Sequence, residues 1–242
     1  MENVQKLAGT SATKSNSTCT PLECRLGFWS ALSVTAIDVV YVLTGLVWLI
    51  AAGWQTPQPL EPTEPYLAIL ELLILASAPL LVIVMAAVHA YADRGHKTLA
   101  LIALMFMVIF ALLTASVHFI QLSVVRQLQS QGVSVPPVLQ FYPWPSTLLA
   151  LDLLAWDLFL GLSLFFAAPV FSSGKLDLAI RYTLLFGGAL CVAGTFGPGL
   201  GVMRLQFLAI VGYAFVLPVI CGLLAVRFMR ELRNRAARAG NR

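Results

Sequence analysis

Charge is what this chain has least of. Of its 242 residues, 11% are Asp, Glu, Lys or Arg, against about 25% in an ordinary soluble domain. Hydrophobic residues make up 59% and the mean hydropathy is +0.86. That balance excludes a disordered protein, a nucleic-acid-binding module and an ordinary water-soluble enzyme, and it leaves a polytopic membrane protein. Chemical signatures are missing as well. There is no GxGxxG or GxxxxGK[ST] phosphate loop, no HExxH and no GxSxG, so nucleotide, zinc-protease and nucleophile-elbow chemistry have no support. No apolar run carries the repeated Arg of a voltage sensor, and none has a central Lys for a Schiff base.

Cysteine is scarce too, at four residues. Cys191 and Cys221 sit in apolar runs and read as small buried hydrophobes. Cys19 and Cys24 form a C-x4-C pair, but no second pair or His completes four ligands for a metal. His89, Asp93 and His96 could also be considered as ligands, yet such a cluster is more simply a solvated helix end. No metal and no cofactor is expected. Residues 1–27 lack the apolar segment of a signal peptide, so the first apolar run is expected to stay as a span.

What the chain has is long apolar runs. A span needs roughly 20 mostly apolar residues to cross about 30 Å of hydrocarbon. The runs predict an all-α bundle of six transmembrane helices over about 29–52, 66–91, 98–124, 147–171, 178–196 and 206–228. A tail (1–28) precedes them and a basic tail (229–242) follows. Four prolines between 57 and 65 break the chain after the first span. Gly197-Pro198-Gly199 is expected to break it after the fifth. Trp29 and Trp54 suit the membrane interface, and Gly45 suits a close helix approach. Counted on alternate sides, thirteen of the fifteen Lys and Arg fall on the side of the two tails; Arg126 and Arg204 fall opposite. The positive-inside rule then places both termini in the cytoplasm, with the chain in the plasma (inner) membrane. Arg181 and Arg204 are candidates to pair with Asp177 or lipid phosphate.

The charged residues at hydrocarbon depth are all acids: Asp38, Glu71, Asp152 and Asp157. A carboxylate there costs roughly 2.5–3.5 kcal/mol, and an acid with no cationic mate relieves the cost by keeping its proton. Helix rise puts Glu71 and Asp152 about five residues below the outer ends of their spans, with Asp157 near the midplane. His118 lies in the same outer half. Thr114, His118 and Gln121 share one helix face, as do Asp38, Tyr41 and Gly45. Asp157 lies about 140° round the helix from Asp152, so those two acids need not share a cavity.

These parts suit proton transfer in an apolar medium. The expected function is an integral membrane enzyme performing acid–base chemistry, isomerisation or cyclisation, on a lipid or isoprenoid. Glu71, His118, Asp152 and Asp157 are the candidate catalytic residues. Asp38, Tyr41, Gln121, Tyr142, Trp144 and Trp156 are the candidate substrate-binding residues. The expected partners are membrane lipid and a hydrophobic small molecule, with no nucleic acid. A proton-coupled transporter or permease would use the same acids as relay groups. A non-catalytic subunit would use them as interhelical hydrogen bonds.

Overall fold

The computed structural model describes residues 19–53, 62–141 and 144–240. Six helices are long and apolar enough to cross a membrane: α1 (Pro21–Ala51), α2 (Tyr66–Tyr91), α3 (Lys97–Ser130), α4 (Thr147–Val170), α5 (Lys175–Leu200) and α6 (Met203–Ala239). Among the described residues there is no strand. Each helix packs on its sequence neighbours, and α6 returns against α1, closing a ring. Phe110, Phe171, Phe228, Met107, Leu160 and Leu184 are fully buried inside it. The outer surface stays apolar. Leu43, Val47, Leu72, Leu112, Phe207 and Phe215 are all exposed, as expected of side chains whose solvent is lipid rather than water. Six such helices are compatible with an integral membrane protein.

Local chemistry moves several helix ends from their expected places. α1 begins at Pro21, eight residues earlier than expected, because Thr20 and Glu23 form a capping box. The Glu23 carboxylate accepts from the Thr20 amide at 2.6 Å, and Thr20 Oγ1 accepts from the Glu23 amide at 3.3 Å; Pro21 at the first position has no N–H to satisfy. Cys19 and Cys24 flank this cap and are joined by a disulfide, with Cα atoms 6.1 Å apart. Gly197-Pro198-Gly199 does not break α5. The helix continues through it to Leu200 and stops at Gly201, whose left-handed φ of 70° suits glycine. The basic segment over residues 229–240 is not a loose tail but a continuation of α6.

Small residues set the seams. A Cβ at Gly194 would lie 2.3 Å from Ala209 Cβ, so α5 and α6 are in backbone contact there. Gly188 and Gly161 do the same between α5 and α4. Gly45 faces open space and mediates no close approach, contrary to expectation.

Where α2 ends and α3 begins, Lys97 Nζ donates to the His89 and Ala90 carbonyls at 2.6 and 3.1 Å, capping α2. At the same end, called the basic end below, Arg227 of α6 donates to Asp177 of α5 at 2.8 Å and to the hydroxyl of Tyr91 of α2. Asp177 is therefore held by Arg227, not by Arg181 or Arg204. Glu231 ties Arg227 to Arg235 along α6.

Candidate functional site

Apart from Asp177 at the basic end, the largest group of buried ionisable side chains lies in the other half of the bundle. Glu71 lies near the start of α2, His118 late in α3 and Asp152 early in α4. Helices that alternate in direction bring those three positions to one level. His118 is 3% exposed, Glu71 7% and Asp152 9%. His118 Nδ1 sits 2.5 Å from Glu71 Oε2. Its Nε2 sits 3.2 Å from Asp152 Oδ1, at ion-pair distance but without the alignment of a hydrogen bond. Thr114 Oγ1 donates to the same Asp152 oxygen at 3.4 Å. The Phe141 ring covers the imidazole, 6.4 Å between centroids. One imidazole thus stands between two carboxylates from two other helices. Both ring nitrogens can donate only when the ring is an imidazolium, and that form matches the two acceptors facing it. Glu71 and Asp152 accordingly have a shared basic partner, which the expectation of mateless acids did not include.

Asp157 belongs to a different cluster. It is fully buried and turns to α6, where Gln206 Nε2 donates to its Oδ1 at 3.0 Å. Tyr213, also on α6, lies beside Gln206 and within electrostatic reach of Asp157, Asp152 and Tyr41. Trp156 packs edge-on against Phe110 at 4.8 Å and at a tilt against Tyr213 at 5.0 Å. Asp38 stays on α1 with a buried, unpartnered Oδ2 among the described residues, near Cys221. Of the substrate-binding expectations among the described residues, Tyr41 and Trp156 both lie near Tyr213, while Gln121 and Trp144 lie apart from it. Gln121 is buried one turn beyond His118. Trp156 joins the aromatic cluster. Asp38 and Tyr41 lie on α1, and Trp144 is half-buried before α4. Tyr142, like Trp54, lies outside the described residues.

A feature that the sequence reading missed runs through both clusters. Three helices contain a π turn: Gln121–Val125 in α3, Leu154–Phe159 in α4 and Gly212–Val216 in α6. Each widens its helix by one residue, as the backbone bonds Arg126 N to Gln121 O, Leu160 N to Ala155 O and Leu217 N to Gly212 O record. The first follows His118, the second contains Asp157 and the third contains Tyr213. Such turns often mark functional positions, because they re-aim side chains and disturb the carbonyl ladder. Gln206 and Tyr213 were missed too, although their i, i+7 spacing puts them on one helix face.

Elsewhere the polar groups are committed to structure. A cleft of about 430 Å³ at the basic end is lined in part by Thr20, Glu23, His89 and Lys97, but Glu23 and Lys97 are occupied with capping. His96 Nδ1 pairs with Asp93 at 2.9 Å. That bond holds the exposed Asp93 carboxyl below its ordinary value, and no metal set with His89 results. Among the described residues no group of three or more His, Cys, Asp or Glu side chains converges as a metal site would. No family model matches the chain, and neither a curated protein nor a solved structure matches it.

Proposed function

We propose that the chain is a proton-linked integral membrane transporter or permease for a small solute, with both termini in the cytoplasm. The observation that carries this reading is the Glu71–His118–Asp152 array. A general base presents one ring nitrogen to a carboxylate and keeps the other free for its substrate. Here both nitrogens face carboxylates, so the imidazole is arranged to hold a proton between helices. Changing that proton count changes the attraction among α2, α3 and α4 and so biases how they pack, which is how proton relays in membrane transporters couple to movement. The π turns in α3, α4 and α6 supply irregular backbone at polar depth, tolerated in membranes where it is buried in protein or lines a cavity.

A second reading is an enzyme of acid–base chemistry on a lipid or isoprenoid. The ring cluster of Trp156, Phe110 and Tyr213 beside Asp157 favours it, since an acid against π faces suits protonation of an olefin. Two measurements decide. Cysteine scanning of α3 and α4 with a membrane-impermeant thiol reagent is expected to label positions from both faces of the membrane. Labelling from one face alone overturns transport in favour of a blind pocket. Nitrogen-15 NMR of the histidines, with the His118 signals assigned by their loss in His118→Leu, is expected to show protons on both ring nitrogens at neutral pH. A neutral ring that does not titrate between about pH 5 and 8 overturns the proton-holding role.

A further inference from the structure

We infer that Asp157 and Gln206 form a proton-binding site that latches α4 to α6, with Asp157 carrying a proton on Oδ2 and donating it to Gln206 Oε1. The two residues already share one hydrogen bond, from Gln206 Nε2 to Asp157 Oδ1 at 3.0 Å. The other oxygen of each, Asp157 Oδ2 and Gln206 Oε1, is buried and has no hydrogen-bond partner among the described residues. Asp157 is 0% exposed and Gln206 6%, so bulk water does not make up the loss. Tyr213 lies beside Gln206, but its hydroxyl does not serve Oε1, which stays open.

The donor count decides the ligand. With the carboxyl ionised, both open atoms are acceptors and cannot satisfy each other. One proton turns Oδ2 into a donor, and carboxyl and amide then close a ring of two hydrogen bonds with no charge left over. Turning the amide over exchanges its nitrogen and oxygen and leaves the same need. A water can donate to both oxygens but leaves a bare carboxylate in a water-poor interior, which is expensive. A hard metal cation needs a shell of several oxygens, whereas a proton needs only the two that the pair supplies. The neighbours agree. The charge that acts on Asp157 is that of Asp152, a carboxylate on its own helix. α5 brings the Cys191 thiol and α6 the Tyr213 phenol, and His118 of α3 is held between Glu71 and Asp152. An ionised Asp152 opposes a second negative charge at Asp157, which links this pair to the His118 array. Loss of the proton leaves two acceptor oxygens facing each other across the α4–α6 seam, so the proton is what holds the helices together there.

This deepens the transport reading by adding a second proton carrier, and it rests on that reading only for the coupling to movement. The protonated pair is tested separately from the triad. Full-length protein in nanodiscs of ether-linked lipid, which has no ester carbonyl, is compared with Asp157→Asn by infrared spectroscopy at neutral pH. The carbonyl stretch of an un-ionised carboxyl group is expected in the wild type and lost in the variant. Asn offers an N–H where the acid has its O–H, so the variant should fold with a thermal midpoint within about 3 °C of wild type. Gln206→Leu keeps the acid but removes its acceptor. It should move the stretch to higher frequency, and it serves if the first variant fails to fold. A wild-type spectrum that matches Asp157→Asn in the acid carbonyl region shows an ionised Asp157 and overturns the proposal, as does a stretch that Gln206→Leu leaves unmoved. Exchanging choline chloride for NaCl at constant pH and ionic strength should change nothing. A stretch that disappears on adding sodium assigns the pair to a metal cation and overturns the proposal as well. The difference that Asp157→Asn makes should persist in a His118→Leu background, so failure of the triad reading and failure of this pair are separable.

Discussion

Replacing His118 by leucine removes the one basic group between two buried carboxylates. Glu71 and Asp152 then face each other across the imidazole's former volume with side chains only 9% and 13% exposed. Truncating one partner of a buried ion pair costs about 3–5 kcal/mol, because the remaining charge has neither water nor a mate. A chain of this length loses about 2–4 °C of thermal midpoint per kcal/mol, so His118→Leu should lower the midpoint by about 6–20 °C. The assay is thermal unfolding in nanodiscs followed by near-UV circular dichroism. The companion variant Glu71→Met/His118→Leu/Asp152→Leu removes the carboxylates as well as the ring. Replacing a whole buried ionic group by apolar side chains of similar size is often neutral or stabilising, so most of the loss should return. A single variant within about 3 °C of wild type, or a triple variant less stable than the single, refutes the electrostatic account of the array.

Gly194→Ala should cost about 1–3 kcal/mol by overpacking the α5–α6 seam, and Ala209→Gly in the same chain should restore it in the same melting assay. Gly45→Ala, where a Cβ meets nothing, should be neutral or stabilise by up to about 1 kcal/mol. Arg227→Met leaves Asp177 buried and unpaired at the basic end and should cost about 3–5 kcal/mol, part of it recovered by adding Asp177→Leu. A reporter active only in the cytoplasm should work when fused at the C-terminus and fail when inserted after Gly132; the reverse pattern overturns the proposed orientation. The Asp93 carboxyl is held low by His96, so the stability it adds is present at neutral pH. It should fade as pH falls below the ordinary carboxylate range, which comparison of Asp93→Asn with wild type across pH would reveal.

The spans were legible because twenty-residue apolar runs have few other physical meanings, and α2 falls on its expected bounds, Tyr66–Tyr91. The ends were less legible. The Thr20/Glu23 cap starts α1 inside a polar segment, and the register of α5 and α6 lets a helix run through Gly197-Pro198-Gly199. Within the site, the 3.6-residue period was enough to put Thr114 and His118 on one face of α3, and depth was enough to set Glu71 and Asp152 at a similar level. Their meeting around one ring depends on which helices are neighbours, and periodicity does not carry that information. Asp177 shows the same limit: its partner Arg227 is fifty residues away on α6, while the nearer Arg181 on its own helix does not take that role. The π turns leave no signal in hydrophobic spacing, since spans apolar nearly all round have no stripe for the shift of about 100° per inserted residue to displace.

Whether the buried polar layer serves only to hold helices together can be argued from cost. Interhelical hydrogen bonds in membranes contribute on average about 0.6 kcal/mol, and Ser or Thr supplies them without charge. Ser163 does so here, donating to the Ala103 carbonyl of α3 at 2.8 Å. Carboxylates and an imidazole in the same interior carry a desolvation cost that their pairing at best offsets. A bundle needing only adhesion has the cheaper device at hand and uses it, six residues from Asp157. On the proposed reading the ionisable groups add what a hydroxyl cannot, a charge state that changes with a proton. They sit where three helices depart from regular α geometry, whereas the helix ends at the basic end are fixed by full ion pairs to Arg227. On the proposed transport reading, a bundle clamped at one end and polar, irregular and charge-variable at the other has its adjustable part at Glu71, His118, Asp152 and Asp157.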